Sequence, residues 1–120
     1  MAESEKLTET PPGVRLCPVE EISDPGARNF VLEIGGRYFH GFVVHRDGRM
    51  AGYLDRCPHM GLPLARTLDD YLTPGGDLIA CGWHGALFAI DNGHCVGGPC
   101  AGSHLHSWPV AIRDGFIVTA

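Results

Sequence analysis

No stretch of the sequence approaches the roughly 20 apolar residues that a membrane-spanning helix needs, so no membrane is expected as a partner. There is no basic run either. Nine Lys and Arg stand against 14 Asp and Glu, for a formal charge of −5, which argues against nucleic acid. A mildly acidic carrier would instead dock on a basic surface, through an attraction that salt weakens. The opening MAESEKLTETPPG has neither the basic n-region nor the apolar core of a signal peptide, and a cytoplasmic protein is the expectation. Internal repeats and low-complexity segments are absent. Helical periodicity is scarce too, confined to LARTLDDYL at 64–72, where Leu64, Leu68, Tyr71 and Leu72 keep a helical spacing. Pro74-Gly75-Gly76 then stops it, so at most a short helix or turn is predicted there.

What the sequence does have is turn chemistry. With 17 Gly and 9 Pro in 120 residues, the composition favours a loop-rich, all-β domain with one modest core. Gly35-Gly36, Asp47-Gly48, Asn92-Gly93 and Asp114-Gly115 each separate short apolar or alternating runs, which is the strongest local cue for a hairpin. The runs are VRLCPVEE, FVLEI, RYFHGFVVHR, MAGYLD, LIACG, ALFAI, LHSWPVAI and FIVTA. Phe39, Phe42 and Val44 stand against polar neighbours as in a half-buried strand, and Gly41 is a candidate bulge. Residues 1–12, polar and closed by Pro11-Pro12, read as a flexible tail, with the domain proper at 13–120.

Two stretches carry the chemistry. CPHMGLPL (57–64) and CGWHGALF (81–88) each place a cysteine and a histidine at the mouth of a Gly-bearing turn. Together Cys57, His59, Cys81 and His84 offer two thiolates and two imidazoles, a set able to hold one zinc or a two-iron cluster. The C-x-x-C pairs of zinc ribbons are missing, as is a helix to carry the histidines of a C₂H₂ finger. Gly61, Gly82 and Gly85 would let backbone N–H groups approach anionic sulfurs. Pro58 and Pro63 would stiffen the first loop.

With the pair CPH…CGWHG and the flanks CPHMGLPL and HGALFAIDNGHCVGGP, the sequence resembles the Rieske [2Fe-2S] proteins, specifically the soluble ferredoxin type, from about Val14 to its end. The resemblance implies an antiparallel β sandwich or barrel with a small cluster-binding subdomain formed by two loops. It implies one [2Fe-2S] cluster per chain, with Cys57 and Cys81 on one iron and His59 and His84 on the other. The ligand loops are then about 55–64 and 80–88, with a third covering loop at 97–100, where Pro99 would shield the cluster. Gly61, Trp83 and Gly85 would surround the ligands. The 21 residues between His59 and Cys81 exceed the family's usual gap, and an insertion at about 65–77 is expected to extend away from the cluster.

The function implied is electron carriage from a flavin-dependent reductase to a terminal, aromatic-ring oxygenase, with no catalysis and no small-molecule pocket. The alternative is the small Rieske subunit of a multi-subunit reductase, such as nitrite reductase. An oxygenase itself would need a second domain with a mononuclear 2-His-1-carboxylate iron, and the sequence after FIVTA is expected not to supply it. High-potential relatives carry a cysteine beside each histidine loop and hydroxyls near the cluster. Here Leu62 and Trp83, then Ala86 and Phe88, stand at those positions. The expected potential is therefore at the low end, about −150 mV. Exposed histidine ligands are expected to couple reduction to proton uptake at alkaline pH.

The remaining residues have plainer readings. Cys17 is expected to pack as a small apolar side chain, and Cys95 and Cys100 to stay separate thiols. A second metal site from His94, Cys95, Cys100, His104 and His106 competes with solvated histidines on one strand face, the reading preferred here. His40 and His45 are expected to be structural or exposed, and Trp108, Phe116 and Ile117 to lie in the core. Arg56, next to Cys57, reads as a solvated charge within reach of a docking partner.

Overall fold

Four turns organise the chain. In the structure, a computed structural model that describes residues 7–56, 64–65, 69–82, 85–98 and 102–120, Gly35-Gly36, Asp47-Gly48 and Asp114-Gly115 each have positive φ at both positions, from 54° to 81°. That is the backbone twist a tight antiparallel hairpin requires. They join β2 (Gly26–Ile34) to β3 (Arg37–Arg46), β3 to β4 (Arg49–Leu54), and β8 (Val110–Arg113) to β9 (Phe116–Thr119). Asn92-Gly93 lies between β6 (Leu87–Ala89) and β7 (Cys95–Gly97). With β1 (Arg15–Pro18) and β5 (Leu78–Ala80), the described residues form three antiparallel sheets, ordered β1-β9-β8, β2-β3-β4 and β5-β6-β7. Among these residues no helix is long and apolar enough to cross a membrane.

β3 is the spine. It pairs with β2 from Gly26↔His45 to Ile34↔Arg37 and with β4 from Gly41↔Leu54 to Arg46↔Arg49. Its two faces enter different cores. Phe39 and Val43 join Cys17, Phe30, Trp108 and Ile117, whereas Phe42 and Val44 join Tyr53, Tyr71, Ile79 and Phe88. Phe39, Phe42, Val43 and Val44 are all 0% exposed, each worth about 1.5–3 kcal/mol of burial. The simple alternation expected for this strand therefore does not hold. Residues three apart on a strand point to opposite faces, and both faces here are covered.

Gly41 is likewise not a bulge, since the register on both sides of it is unbroken. A Cβ at that position would stand 2.6 Å from the Phe39 ring and 2.7 Å from Trp108. The glycine makes room for two aromatic rings, whose centroids lie 4.6 Å apart.

Other expectations also shift. Residues 7–12 are docked: Leu7 N–H donates to Tyr38 O, and Trp108 Nε1–H donates to Thr10 Oγ1 at 2.9 Å. The Thr119 hydroxyl donates to Pro11 O at 2.7 Å and accepts from Val14 N–H at 2.8 Å. The described part of the expected helix at 64–72 is a turn and an edge contact, with Leu72 bridged to Ile79. The Pro74–Gly76 turn folds the chain back, so Thr73 N–H reaches Leu78 O and Ala80 N–H reaches Tyr71 O. Phe116 is only half-buried, beneath the Arg15 guanidinium, while Trp108 and Ile117 are core residues as expected. Cys17 is buried opposite Ile117, and burial pushes its thiol pKa up.

Candidate metal centre

The segment that carries the first candidate donor pair follows β4 and ends at Leu64. Asp55 N–H donates to His40 O at 3.0 Å, anchoring the exit on the spine. Asp55 Oδ1 accepts the Leu64 N–H at 2.9 Å, so one carboxylate joins the start of the loop to its end. The second loop leaves β5 at Cys81, which is 1% exposed. Cys81 N–H donates to Ala86 O at 2.8 Å and its carbonyl accepts from Gly85 N–H at 3.1 Å, closing a tight turn. Gly85, at φ 72°, occupies the left-handed region that favours glycine. The loops meet where Gly82 N–H donates to Leu64 O at 2.8 Å.

The third loop closes on the second. Gly98, at φ 89°, sits so near the turn that a Cβ would lie 2.8 Å from Ala86 Cα and 2.9 Å from Gly85 O. Ala86 and Phe88, both 0% exposed, bring no hydroxyl to this region.

The 65–77 segment does not extend outward in its described part. Tyr71 is 1% exposed and stacks on Phe42, with centroids 4.1 Å apart and planes 5° from parallel. Its hydroxyl donates to Asp55 Oδ2 at 2.8 Å and accepts from Asn29 Nδ2 at 2.8 Å. Asn29 Nδ2 also lies 3.1 Å from Asp55 Oδ2. Burial, then the Asp55 charge, push the Tyr71 pKa well up, so its proton stays in place to be donated. Asp69 Oδ1 accepts the Asn29 N–H at 2.7 Å, and Arg46 binds Gly76 O and Asp77 Oδ1 at 2.7 and 2.8 Å. A long gap is satisfied by folding onto the sheet, because a tyrosine that can bury its ring gains more there than in solvent.

Of the residues singled out in the sequence, Cys81 and Gly85 lie in this arrangement. Cys57, His59, Gly61, Trp83, His84, Pro99 and Cys100 fall outside the described residues. Cys95 donates its thiol to Gly97 O at 3.2 Å and makes no disulfide among the described residues. His94 and His104 are exposed, paired across an isolated bridge with ring centroids 5.8 Å apart. Among the described residues no three His, Cys, Asp or Glu side chains converge as a metal site. His45 is structural, its Nδ1 2.8 Å from Ile22 O and its Nε2 3.5 Å from Asp24. Asp55, Asn29 and Tyr71 were not marked by the sequence. Asp55 carries no periodic signal, and Tyr71 reads there as a helix face.

The Rieske [2Fe-2S] domain family model matches residues 13–110. Among solved structures, a Sphingomonas yanoikuyae B1 ferredoxin is 26% identical with a TM-score of 0.66, over 89% of this chain and 96% of its own. The ferredoxin of carbazole 1,9a-dioxygenase from Nocardioides aromaticivorans IC177 gives 17% and 0.70, over 92% and 98%. A protein assigned as the small subunit of an NADPH nitrite reductase gives 16% and 0.63, over 89% and 96%. No curated protein matches by sequence.

The residues present suit the family's cofactor. Cys81 is in a nearly dry position, of the kind that would protect an iron–thiolate bond. The bonds at Leu64 and Gly82 bring together the ends of two loops whose donor set, two thiols and two imidazoles, is that of a Rieske centre. By the match over most of its length and by this construction, the chain belongs to the Rieske [2Fe-2S] domain family, whose cofactor is a Rieske-type [2Fe-2S] cluster.

Proposed function

We propose that the protein is a one-electron carrier in which Cys57 and Cys81 bind one iron and His59 and His84 the other. The single observation that carries this reading is the Gly82–Leu64 hydrogen bond, which holds the ends of both donor-bearing loops together. When bound, the cluster supplies a centre that accepts and releases one electron. The chain's own residues supply the rest. Cys81 is 1% exposed, which keeps its sulfur from water, and the missing side chain of Gly98 lets its backbone pack against Gly85 and Ala86.

The partners that fit are a flavin-dependent reductase as donor and a terminal aromatic-ring oxygenase as acceptor. Support comes from the likeness to a carbazole dioxygenase ferredoxin. A second reading, a small subunit held permanently in a larger reductase, is favoured by the likeness to the nitrite reductase subunit. Purified protein should be brown-red, contain two irons per chain and give a low-average-g EPR signal on reduction. A colourless zinc protein would defeat the proposal. Size-exclusion chromatography of native extract separates the two readings, since a carrier migrates as a small protein and a subunit with a large complex.

A further inference from the structure

We propose that Tyr71 and Asp55 are positioning residues for the cluster, the 65–77 segment acting as a strap that fixes both ligand loops through one carboxylate. The inference rests on the ligand assignment proposed above.

Asp55 lies two residues before Cys57 and spends both oxygens on this task. Oδ1 receives the amide of Leu64, the first described residue after the loop. Oδ2 receives the Tyr71 hydroxyl and the Asn29 amide group. A carboxylate bonded on one oxygen alone can rotate about its Cβ–Cγ bond; bonded on both, it cannot without breaking a charge-assisted bond. The Leu64 amide is thereby held at a fixed point. Leu64 passes the constraint on, because its carbonyl accepts from Gly82, the residue after Cys81. A continuous chain runs from Tyr71 through Asp55 and Leu64 to Gly82, touching the loops that bear all four proposed ligands.

The strap has its own footing. Tyr71 is stacked on Phe42 of the spine. Its backbone carbonyl takes the Ala80 N–H just before Cys81. Asp69 holds the edge of β2 and Arg46 holds Gly76 and Asp77. A segment that served only to lengthen the loop would not need a buried phenol aimed at this carboxylate.

The test uses Tyr71→Phe, which keeps the ring stacked and removes only the hydroxyl. Losing a hydrogen bond to a charged group should raise the rate of local opening on the order of tenfold. Hydrogen exchange at the Leu64 and Gly82 amides should quicken by about that factor, while amides in the centre of β3 stay as they were. Release of iron from the loaded protein to a chelator should accelerate in step, and the reduced EPR spectrum should broaden. Asp55→Asn, which keeps Oδ1 for Leu64 but offers a donor to two donors at Oδ2, should act more strongly. Unchanged exchange at Leu64 and Gly82 in Tyr71→Phe would overturn the proposal. So would uniform acceleration of every amide, which marks general destabilisation. If the wild-type chain holds no iron–sulfur cluster the ligand assignment fails, yet exchange at Leu64 and Gly82 still decides whether the clamp exists.

Discussion

The amide of Gly82 donates to the carbonyl of Leu64 across 2.8 Å. Neither residue is a proposed ligand; Leu64 closes the segment that carries Cys57 and His59, and Gly82 follows Cys81. A site with donors on two loops loses entropy when both are ordered together, and a bond made by the protein alone reduces what cofactor binding must supply.

The ligand assignment makes the sharpest prediction. His59→Ala or His84→Ala should abolish the visible spectrum of the Rieske centre, and Cys57→Ser or Cys81→Ser should give colourless protein. Absorption and iron content of each purified variant are the measurements. Cys17→Ala, a change in the other core, should retain full iron content.

The midpoint potential should lie at the low end of the Rieske range, about −150 mV. Ala86 and Phe88 are buried and bring no hydroxyl. Ala86→Ser, if its hydroxyl reaches a sulfur, should raise the midpoint by on the order of 60 mV, the one-electron equivalent of one hydrogen bond to a charged acceptor. A redox titration giving a wild-type midpoint above zero would contradict this account.

Buried tyrosines set an alkaline limit. Burial, with a smaller contribution from Asp91, pushes the Tyr53 pKa up to about 12 from 10.0, and its hydroxyl donates to Ile90 O. A folded pKa above the unfolded one means that the stabilisation is complete below about pH 10 and is lost as pH rises toward 12. Tyr71, raised further, acts in the same direction. Denaturant titrations should show stability falling from about pH 10 upward, and less steeply in Tyr53→Phe. That variant should cost about 1 kcal/mol at neutral pH for the lost bond.

Gly98→Ala should be among the most damaging small substitutions. It places a Cβ 2.8 Å from Ala86 Cα at φ 89°, and the strained backbone alone costs of order 1–3 kcal/mol. Chemical denaturation measures the loss. Gly115→Ala, also at positive φ but with nothing within 4 Å, should cost less.

The hairpins were legible because turn chemistry is local: Gly35-Gly36, Asp47-Gly48 and Asp114-Gly115 are residue types that accept positive φ, glycine because it has no Cβ. The donor pattern was legible for a similar reason, as spacing within each loop is read directly. What escaped was long-range. Gly41 looked like a bulge because Trp108, whose ring crowds it together with that of Phe39 two residues back on the same strand, lies 67 positions on. β7, only Cys95–Gly97, is too short to show a period. Tyr71 has the spacing of a helix and the position of a clamp, and only the packing of Phe42 and Asp55 against it decides between them.

β3 sends Phe39 and Val43 one way and Phe42 and Val44 the other. Heat should therefore not melt the redox end while leaving the opposite sheet intact. A common beam runs through both halves, and calorimetry should register a single cooperative transition. For a domain of the Rieske family, such a mount leaves little slack beneath the segments that end at Leu64 and begin at Cys81.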